Sequence, residues 1–438
     1  MPRGRRARLV LLLALGACTE RMTAPGQCPA FCPGGQLQMG DTVLTDVIAR
    51  DSAYAGYRQA HEGQALPVVD VPGIRSRAIF RMLPLFDSVA PIDGDTLKVP
   101  IAVDSAALTL FLLHRDTNAS NLALNIYRLP RDIDSTSTFA QLSPWFADSL
   151  ADSVNVSALY ALPAAYDSLT QDTVRTDSTT GRQIRINALN GTTVIVLPLD
   201  TTQVRFPEAD SGKVAFGVHV SADSLASAAL GADEYPERDA RIRWYYHYTI
   251  PDTVTATPDS VVYTSQVRES AFDSFVLDPP TPPLDPAALD TTLAVGGVPA
   301  ARSLLRVAFP SFLRDTADVV RATLLLVPVE AVAGAPGDSF SVVAHAVMAD
   351  LGAKSPLATS GPPTSSARVH LGSTDTVRIE LTDLVRAWAF DTTAATALFL
   401  RQVPEAATYA QIRFYSSRTA FRPTLHVTYV RRFPFGRR

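Results

Sequence analysis

The sequence predicts an all-β protein built as two tandem β-sandwiches, which follow a signal peptide and a short tether. Many short runs alternate apolar and polar residues, as in "VAFGVHV" at 214–220, and this alternation is typical of half-buried strands. Prolines and dipeptides such as Asp-Ser separate the runs as turn signals, a pattern that favours sandwiches. Helical periodicity is scarce. The best candidate, "LTDLVRAWAF" at 381–390, would be capped by Thr382 or Asp383 and would bury Trp388.

Residues 1–17 have the layout of a secretory signal peptide. Four arginines precede a short apolar run, Leu9 to Leu15, and small residues stand just before Cys18. A run of about seven apolar residues is too short to cross a bilayer. The cysteine resembles the lipobox of bacterial lipoproteins, which implies that Cys18 is lipidated, and Thr19 resembles the outer-membrane signal of Gram-negative lipoproteins. The alternative is an ordinary signal peptide with an accidental cysteine.

A lipidated tether would span residues 18–40, and it contains the other two cysteines, Cys28 and Cys32. Because exported proteins meet an oxidising compartment, a local disulfide is the natural use of this pair. The loop that it closes is so short that it would add little stability through chain entropy. A zinc site is the alternative, although two thiolates without a nearby histidine would leave zinc under-coordinated.

Length and charge limit the classes of protein. A chain of 438 residues with 47% apolar residues can bury an ample core and is long enough for two domains. Removal of residues 1–17 leaves 35 of the 39 Lys and Arg against 43 Asp and Glu, so the remaining chain is mildly acidic. Nucleic acid is therefore not an expected partner, since its recognition needs a clustered basic surface. The basic tail would be solvated or would touch a membrane surface or an anionic glycan.

The chain repeats similar segments in the same order. The segment "RSRAIFRM" at 75–82 corresponds to "RSLLRVAF" at 302–309, and "ARIRWYYHY" at 240–248 corresponds to "AQIRFYSSR" at 410–418. Between the copies lies "DPPTPPLDP", which is typical of a semi-rigid linker. The predicted organisation is a first β-sandwich over 41–277 with an exposed, Ser-, Thr- and Asp-rich insertion near 132–190, a linker over 278–288, a second β-sandwich over 289–431 and a basic tail over 432–438.

Four segments of the second copy, "RSLLRVAFPSF", "VVRATLLLV", "IELTDLVRAWAF" and "IRFYSSRTAFRPTLHVTYV", together resemble the DNRLRE-type modules over about residues 300–430. The hexapeptide that gives this family its name is absent. The resemblance implies tandem jelly-roll-like β-sandwiches of a kind found in bacterial surface proteins and beside polysaccharide-degrading domains. In the first copy, "LNIYRLPRDIDSTSTF" at 124–139 resembles a domain of unknown function in Bacteroidetes surface lipoproteins.

Sequence motifs for catalysis are missing. The chain has no H-E-x-x-H, no G-x-S-x-G and no G-x-x-x-x-G-K, and its seven histidines are dispersed. The acid pairs Asp93 with Asp95 and Asp132 with Asp134 could hold calcium, although Asp in this chain mostly begins turns. A carboxylate pair for glycoside cleavage depends on separation in space, which the sequence does not show. No cofactor is predicted.

The segment "RIRWYYHY" at 241–248 carries aromatic rings on both faces of one predicted strand. One face should pack in the core, and the other would form a flat, partly polar surface that can stack on a sugar ring. The alternative is that this outer face packs beneath the insertion near 132–190. The alternation predicts an inner set, Trp244, Tyr246 and Tyr248, and an outer, candidate glycan-binding set, Arg243, Tyr245 and His247.

Two classes of function follow from these observations. The first is a non-catalytic lipoprotein, held by its lipid in the outer membrane and facing the periplasm or the cell surface. It would bind a polysaccharide or another envelope protein, or serve as a structural module. The second is a polysaccharide lyase or glycoside hydrolase built on a β-sandwich. A flat aromatic surface favours binding, whereas a long groove with Arg, His and Tyr would favour an enzyme.

Overall fold

The computed structural model describes residues 39–56, 59–90, 98–201, 213–250, 260–278, 291–334, 339–357 and 365–432. The predictions for Cys18, Cys28 and Cys32 lie outside the described residues, as do those for positions 279–288 of the linker and 433–438 of the tail. The all-β prediction is confirmed, since antiparallel strands form two sandwich-like halves around separate cores. The first two strands are β1 (Met39–Leu44) and β2 (Ile48–Ala55).

In the part of the chain that the structure describes, the first sandwich is a thirteen-stranded sheet that folds over one apolar core. A short two-stranded sheet of β5 (Ser88–Val89) and β6 (Val99–Pro100) lies beside it. The thirteen strands are β3 (Ala65–Val71), β4 (Ile74–Met82), β7 (Ala102–Arg115), β8 (Ala123–Leu129), β9 (Leu150–Asn155), β10 (Ala165–Asp167), β11 (Asp172–Thr176), β12 (Gln183–Asn187), β13 (Thr193–Leu199), β14 (Ala215–Ser221), β15 (Ala226–Gly231), β16 (Arg241–Ile250) and β17 (Ser260–Asp278).

The second sandwich packs two sheets over its own core. The strands after the first sandwich are β18 (Thr292–Gly296), β19 (Ala301–Val307), β20 (Ala317–Leu326), β21 (Ser339–Ala346), β22 (Ser366–His370), β23 (Val377–Glu380), β24 (Ala397–Gln402), β25 (Gln411–Tyr415) and β26 (Thr424–Arg431). One sheet has the strand order β1-β26-β20-β23. The other sheet has the order β22-β21-β24-β19-β18-β25, and β2 pairs with β19.

The first sandwich was predicted to begin at residue 41, but strands β1 and β2 do not belong to it. β1 pairs with β26 and β2 pairs with β19, so residues 39–55 belong to the second sandwich. Val47 and Ile48 lie in that core. The first sandwich therefore stands, in chain order, between two parts of the second. Sequence alternation shows that a segment is a strand but carries no information about its pairing partner.

The helices of the described residues are short: α1 (Phe139–Leu142), α2 (Trp145–Asp148), α3 (Val156–Ala161), α4 (Ser311–Asp315) and α5 (Thr382–Phe390), with two 3-10 turns at Ala60–Glu62 and Gly352–Lys354. The predicted helix at 381–390 is confirmed as α5, and Leu384, Val385 and Trp388 are buried. Its predicted cap is wrong. Thr382 is the first helical residue, and its hydroxyl accepts a hydrogen bond from the backbone N–H of Ala322 on the neighbouring strand β20.

Within the insertion near 132–190, the segment "LTQDTVRTDSTTGRQ" at 169–183 was predicted to be an exposed loop. Its residues are exposed or half-buried, but 172–176 form strand β11, and the rest of the insertion also forms regular elements. Helices α1 and α2 pack on the outer face of β4, β8 and β14, where Phe139 and Phe146 join Ile79 and Leu129. Strands β10 to β12 extend the first sheet beyond β13. The polar composition hid short alternating runs that bury only one face, for example Ile184 in β12. No helix of the described residues is long and apolar enough to span a membrane.

The two sandwiches touch each other through small apolar residues, and an ion pair within the second sandwich lies beside this contact. Ala407 of the second sandwich packs on Ala65 and Ala229 of the first. Beside this contact, the guanidinium of Arg302 donates two hydrogen bonds to the carboxylate of Glu405, and both side chains are buried. Loss of one partner would leave the other charge buried and uncompensated, so this pair specifies the local geometry.

Candidate functional site

Strand β16 carries the predicted alternation. Trp244 is 1% exposed and Tyr246 is 3% exposed, and both pack edge-on against the ring of Phe86. Tyr245, between them in sequence, is 46% exposed on the outer face. The prediction of an inner and an outer set is therefore confirmed for these positions, while Tyr248 of the inner set is only half-buried.

The outer face of β16 continues onto β17. In this antiparallel pair, Tyr245 stands opposite Ser265 and His247 stands opposite Tyr263. Tyr263 is 73% exposed, and its ring centroid lies 5.3 Å from that of His247. The sequence analysis missed Tyr263. Its position in the alternating run "SVVYTSQV" at 260–267 marked a strand, but only the register shows that it faces the same side as Tyr245.

A β-bulge adds a carboxylate to this face. On β7, Ser105 pairs with Tyr245 and Val103 pairs with Tyr246, so Asp104 is the extra residue of the bulge. Its carboxylate oxygen lies 2.7 Å from Nδ1 of His247. This hydrogen bond orients the imidazole ring and leaves Nε2 as the nitrogen that can meet a ligand. We name the group Asp104, Ser105, Arg243, Tyr245, His247, Tyr263 and Ser265 the aromatic strip.

The insertion near 132–190 does not cover the aromatic strip. Its helices α1 and α2 lie on β4, β8 and β14, and its strands β10 to β12 add to the edge of the sheet. The alternative of an outer face packed beneath the insertion is therefore wrong. Both tyrosines of the strip keep much of their surface in solvent, which gives a flat face with two rings, one guanidinium, one His–Asp pair and two serine hydroxyls.

Outside the aromatic strip, burial shifts the pKa of several titratable side chains. Burial lowers the pKa of His219, whose Nε2 lies 3.2 Å from Asp70. Burial, and then the charge of Arg401, lowers the pKa of His345 to about 4, so this histidine is neutral at pH 7. Burial raises the pKa of Asp273 on β17 to about 7, against hydrogen bonds from the Asp233 backbone and the Ser270 hydroxyl.

The candidate calcium pairs receive no support as a site. Asp93 and Asp95 lie outside the described residues. Asp134 accepts hydrogen bonds from the backbone and the hydroxyl of Thr136, and these bonds lower its pKa, so it serves as a turn residue. Across the described ranges, no group of three or more His, Cys, Asp or Glu side chains is placed to hold a metal ion.

Comparison with known proteins identifies no family: no protein-family model matches the chain. The curated proteins likewise contain no match to it.

Proposed function

We propose that this chain is a non-catalytic lipoprotein of the bacterial cell envelope whose aromatic strip binds a glycan. The observation that carries the proposal is the uncovered pair Tyr245 and Tyr263 on one flat sheet face, beside Arg243 and the His247–Asp104 pair. Monomeric proteins seldom leave large aromatic side chains in solvent as a group, so such a group marks an interaction surface.

The chemistry of the strip matches that of a sugar. Each tyrosine ring offers an apolar face for the C–H bonds of a pyranose, and its hydroxyl stays in water. Around the rings, Arg243 supplies a planar fork of donors that fits a uronic carboxylate or two hydroxyls, while Ser105 and Ser265 donate or accept single hydrogen bonds. Because the face is flat and runs across three strands, it suits an extended polysaccharide better than an enclosed small molecule.

The anchor part of the proposal rests on the sequence. Cys18 would carry the lipid, Cys28 and Cys32 would form a disulfide in the tether, and the first described strand begins at Met39 in the second sandwich. With about 3.5 Å per extended residue, 20 residues of tether would reach roughly 70 Å from the membrane. Cys18→Ser should abolish labelling by a radioactive fatty acid and move the protein from the detergent phase to the aqueous phase; identical partitioning would contradict the anchor.

A glycan-array screen tests binding, followed by calorimetry on any glycan that is retained. The soluble chain with Cys18→Ser should bind, Tyr245→Ala and Tyr263→Ala should each weaken binding at least tenfold, and Tyr166→Ala should not. Tyr166 is the matched control because it is an exposed tyrosine on β10, away from the strip. Equal affinity in all four proteins would place binding elsewhere, and shortened products from the same polysaccharides would favour the lyase or hydrolase alternative.

A further inference from the structure

The strand pairings show that the two sandwiches are equivalent, and they show which segments correspond. The series β4-β14-β8-β9 of the first sandwich matches β19-β24-β21-β22 of the second, and β13-β7-β16 matches β23-β20-β26. In the first, one long strand, β17, pairs with β16 and then with β4. In the second, β1 pairs with β26 and β2 pairs with β19. Residues 39–55 therefore occupy in the second sandwich the place that 260–278 occupy in the first.

Chain order then reveals an exchange. The segment 39–55 immediately precedes the other strands of the first sandwich, yet it completes the second. The segment 260–278 immediately precedes β18, the next strand of the second sandwich, yet it completes the first. When the repeats are counted as 39–250 and 260–431, each repeat places its leading strand in the sandwich of the other. Exchange of an identical element between equivalent units is the geometry of domain swapping, here within one chain.

One buried carboxylate makes the same kind of contact in each of the two segments. Asp51 on β2 accepts a hydrogen bond from the backbone N–H of Ser417, two residues after β25. Asp273 on β17 accepts one from the backbone N–H of Asp233, two residues after β15, at 2.8 Å. Strands β25 and β15 are themselves equivalent, since they pair with β18 and β3. The correspondence of 240–248 with 410–418 that the sequence predicted is therefore wrong, because β16 is equivalent to β26. Each sandwich therefore recognises its incoming strand through backbone pairing and one carboxylate contact.

The two exchanged segments differ in how firmly they are held. In β17, four consecutive residues, Asp273 to Val276, are buried. In β1 no residue is buried, since its residues alternate between exposed and half-buried. Of β2 and the link before it, only Val47, Ile48 and Asp51 are buried. Release of 39–55 therefore uncovers fewer buried residues than release of 260–278 would, although it gives up the backbone hydrogen bonds along two edge positions.

We propose that the segment 39–55 of one chain can complete the second sandwich of another copy of this chain, which gives a strand-exchanged dimer. The acceptor surface, the edges of β26 and β19, is the same whichever chain supplies the strand. The intrachain form dominates in dilute solution because the connection at 56–64 keeps the strand at a high effective concentration. Crowding of copies, as on a membrane surface, favours exchange between chains. This proposal does not depend on glycan binding.

Disulfide trapping in the whole chain tests the exchange. In a background with Cys18, Cys28 and Cys32 replaced by Ser, one chain carries Val43→Cys and a second carries His426→Cys. These two positions stand directly opposite each other on β1 and β26. The mixed chains are unfolded in urea and refolded together over a range of concentrations. An interchain 43–426 disulfide, identified by mass spectrometry and rising at least fivefold with concentration, is the expected result.

The matched control is the pair Thr249→Cys and Val261→Cys, which face each other on β16 and β17 within the first sandwich. Only nine residues join these two strands, so their pairing should remain intrachain. The proposal would be overturned if, at every concentration, the yield of the interchain 43–426 disulfide were no greater than the yield of the interchain 249–261 disulfide.

A second measurement uses no cysteine. Deletion of Ala60, His61 and Glu62 shortens the connection at 56–64 and should raise the dimer fraction on size exclusion by severalfold, because a strand that cannot reach its own sandwich must enter a neighbour's. A folded variant that stays monomeric at every concentration would also overturn it.

Discussion

The two sandwiches share one set of strand pairings, but the chain closes them in different ways. All thirteen strands of the first lie between Ala65 and Asp278, whereas the second needs residues 39–55 from the other side of the first. In the second, Met39 stands opposite Val430. Such non-local pairing carries a larger loop-closure cost and forms later than local pairing. The difference teaches that the first sandwich has a complete set of strands in one contiguous stretch and that the second depends on the N-terminal strand.

The largest expected effect tests whether the two cores are separate. Trp244→Ala in the first core and Trp388→Ala in the second should each lower the free energy of unfolding by about 3 to 5 kcal/mol, because each removes a buried indole. Urea titration with hydrogen exchange read by mass spectrometry should show lost protection only in the sandwich that holds the substitution. Equal loss in both halves would mean that the two sandwiches unfold as one unit.

The next effect tests the assignment of residues 39–55. Ile48→Ala on β2 should cost about 2 to 4 kcal/mol because Ile48 lies in the second core. Hydrogen exchange should accelerate in β19 and β26, far away in sequence, and should not change in β4 and β16. Val43→Ala, at an exposed position of β1, is the control and should change little. Faster exchange in β4 would contradict the pairing of β2 with the second sandwich.

The stability of the first sandwich should depend on pH through Asp273. The pKa of Asp273 is raised by burial to about 7, so the folded state prefers the neutral carboxyl. The stability that this group contributes is complete below about pH 4 and is lost as the pH rises through 7, by at most about 4 kcal/mol. Asp273→Asn should remove this loss, so its advantage over the wild type in urea titration should be greater at pH 8 than at pH 5. An equal difference at both pH values would contradict the raised pKa.

A smaller effect separates binding from stability on the two faces of β16. Tyr245→Ala should weaken glycan binding by about 1 to 3 kcal/mol and change the urea midpoint little, because an exposed ring contributes little to the core. The neighbouring Trp244→Ala should act mainly on stability. If Tyr245→Ala unfolds the first sandwich, or leaves an established affinity unchanged, the aromatic strip is structural.

The smallest effect concerns the cysteines. All three precede Met39, so the described residues of the two sandwiches contain no thiol. Reduction of the Cys28–Cys32 disulfide should therefore shift the melting temperature of neither sandwich by more than about 1 °C, since the closed loop is short and lies in the tether. Calorimetry with and without reductant measures this shift, after mass spectrometry has established the disulfide. Two free thiols in freshly exported protein would contradict the pairing.

Local pattern predicted much of the fold. Alternation placed Trp244 and Tyr246 inside and Tyr245 outside, because successive side chains of a strand face opposite sides. The apolar spacing of 384, 385 and 388 predicted helix α5 and its buried tryptophan. The cap on α5 was not predictable, since the hydroxyl of Thr382 serves a distant strand instead of its own helix. Insertion strands β10 to β12 were hidden by a polar composition that resembles a loop.

The sequence by itself determined the all-β class, most of the repeated order of strands and the identity of the ring that faces solvent. Each of these depends on spacing within a few residues, which the chain carries locally. Only the tertiary structure decided which strand pairs with which, and thus the exchange of 39–55 and 260–278, the place of Tyr263 beside His247 and the bulge that presents Asp104. Pairing depends on contacts between residues far apart in the chain, and a strand's own alternation is compatible with many partners.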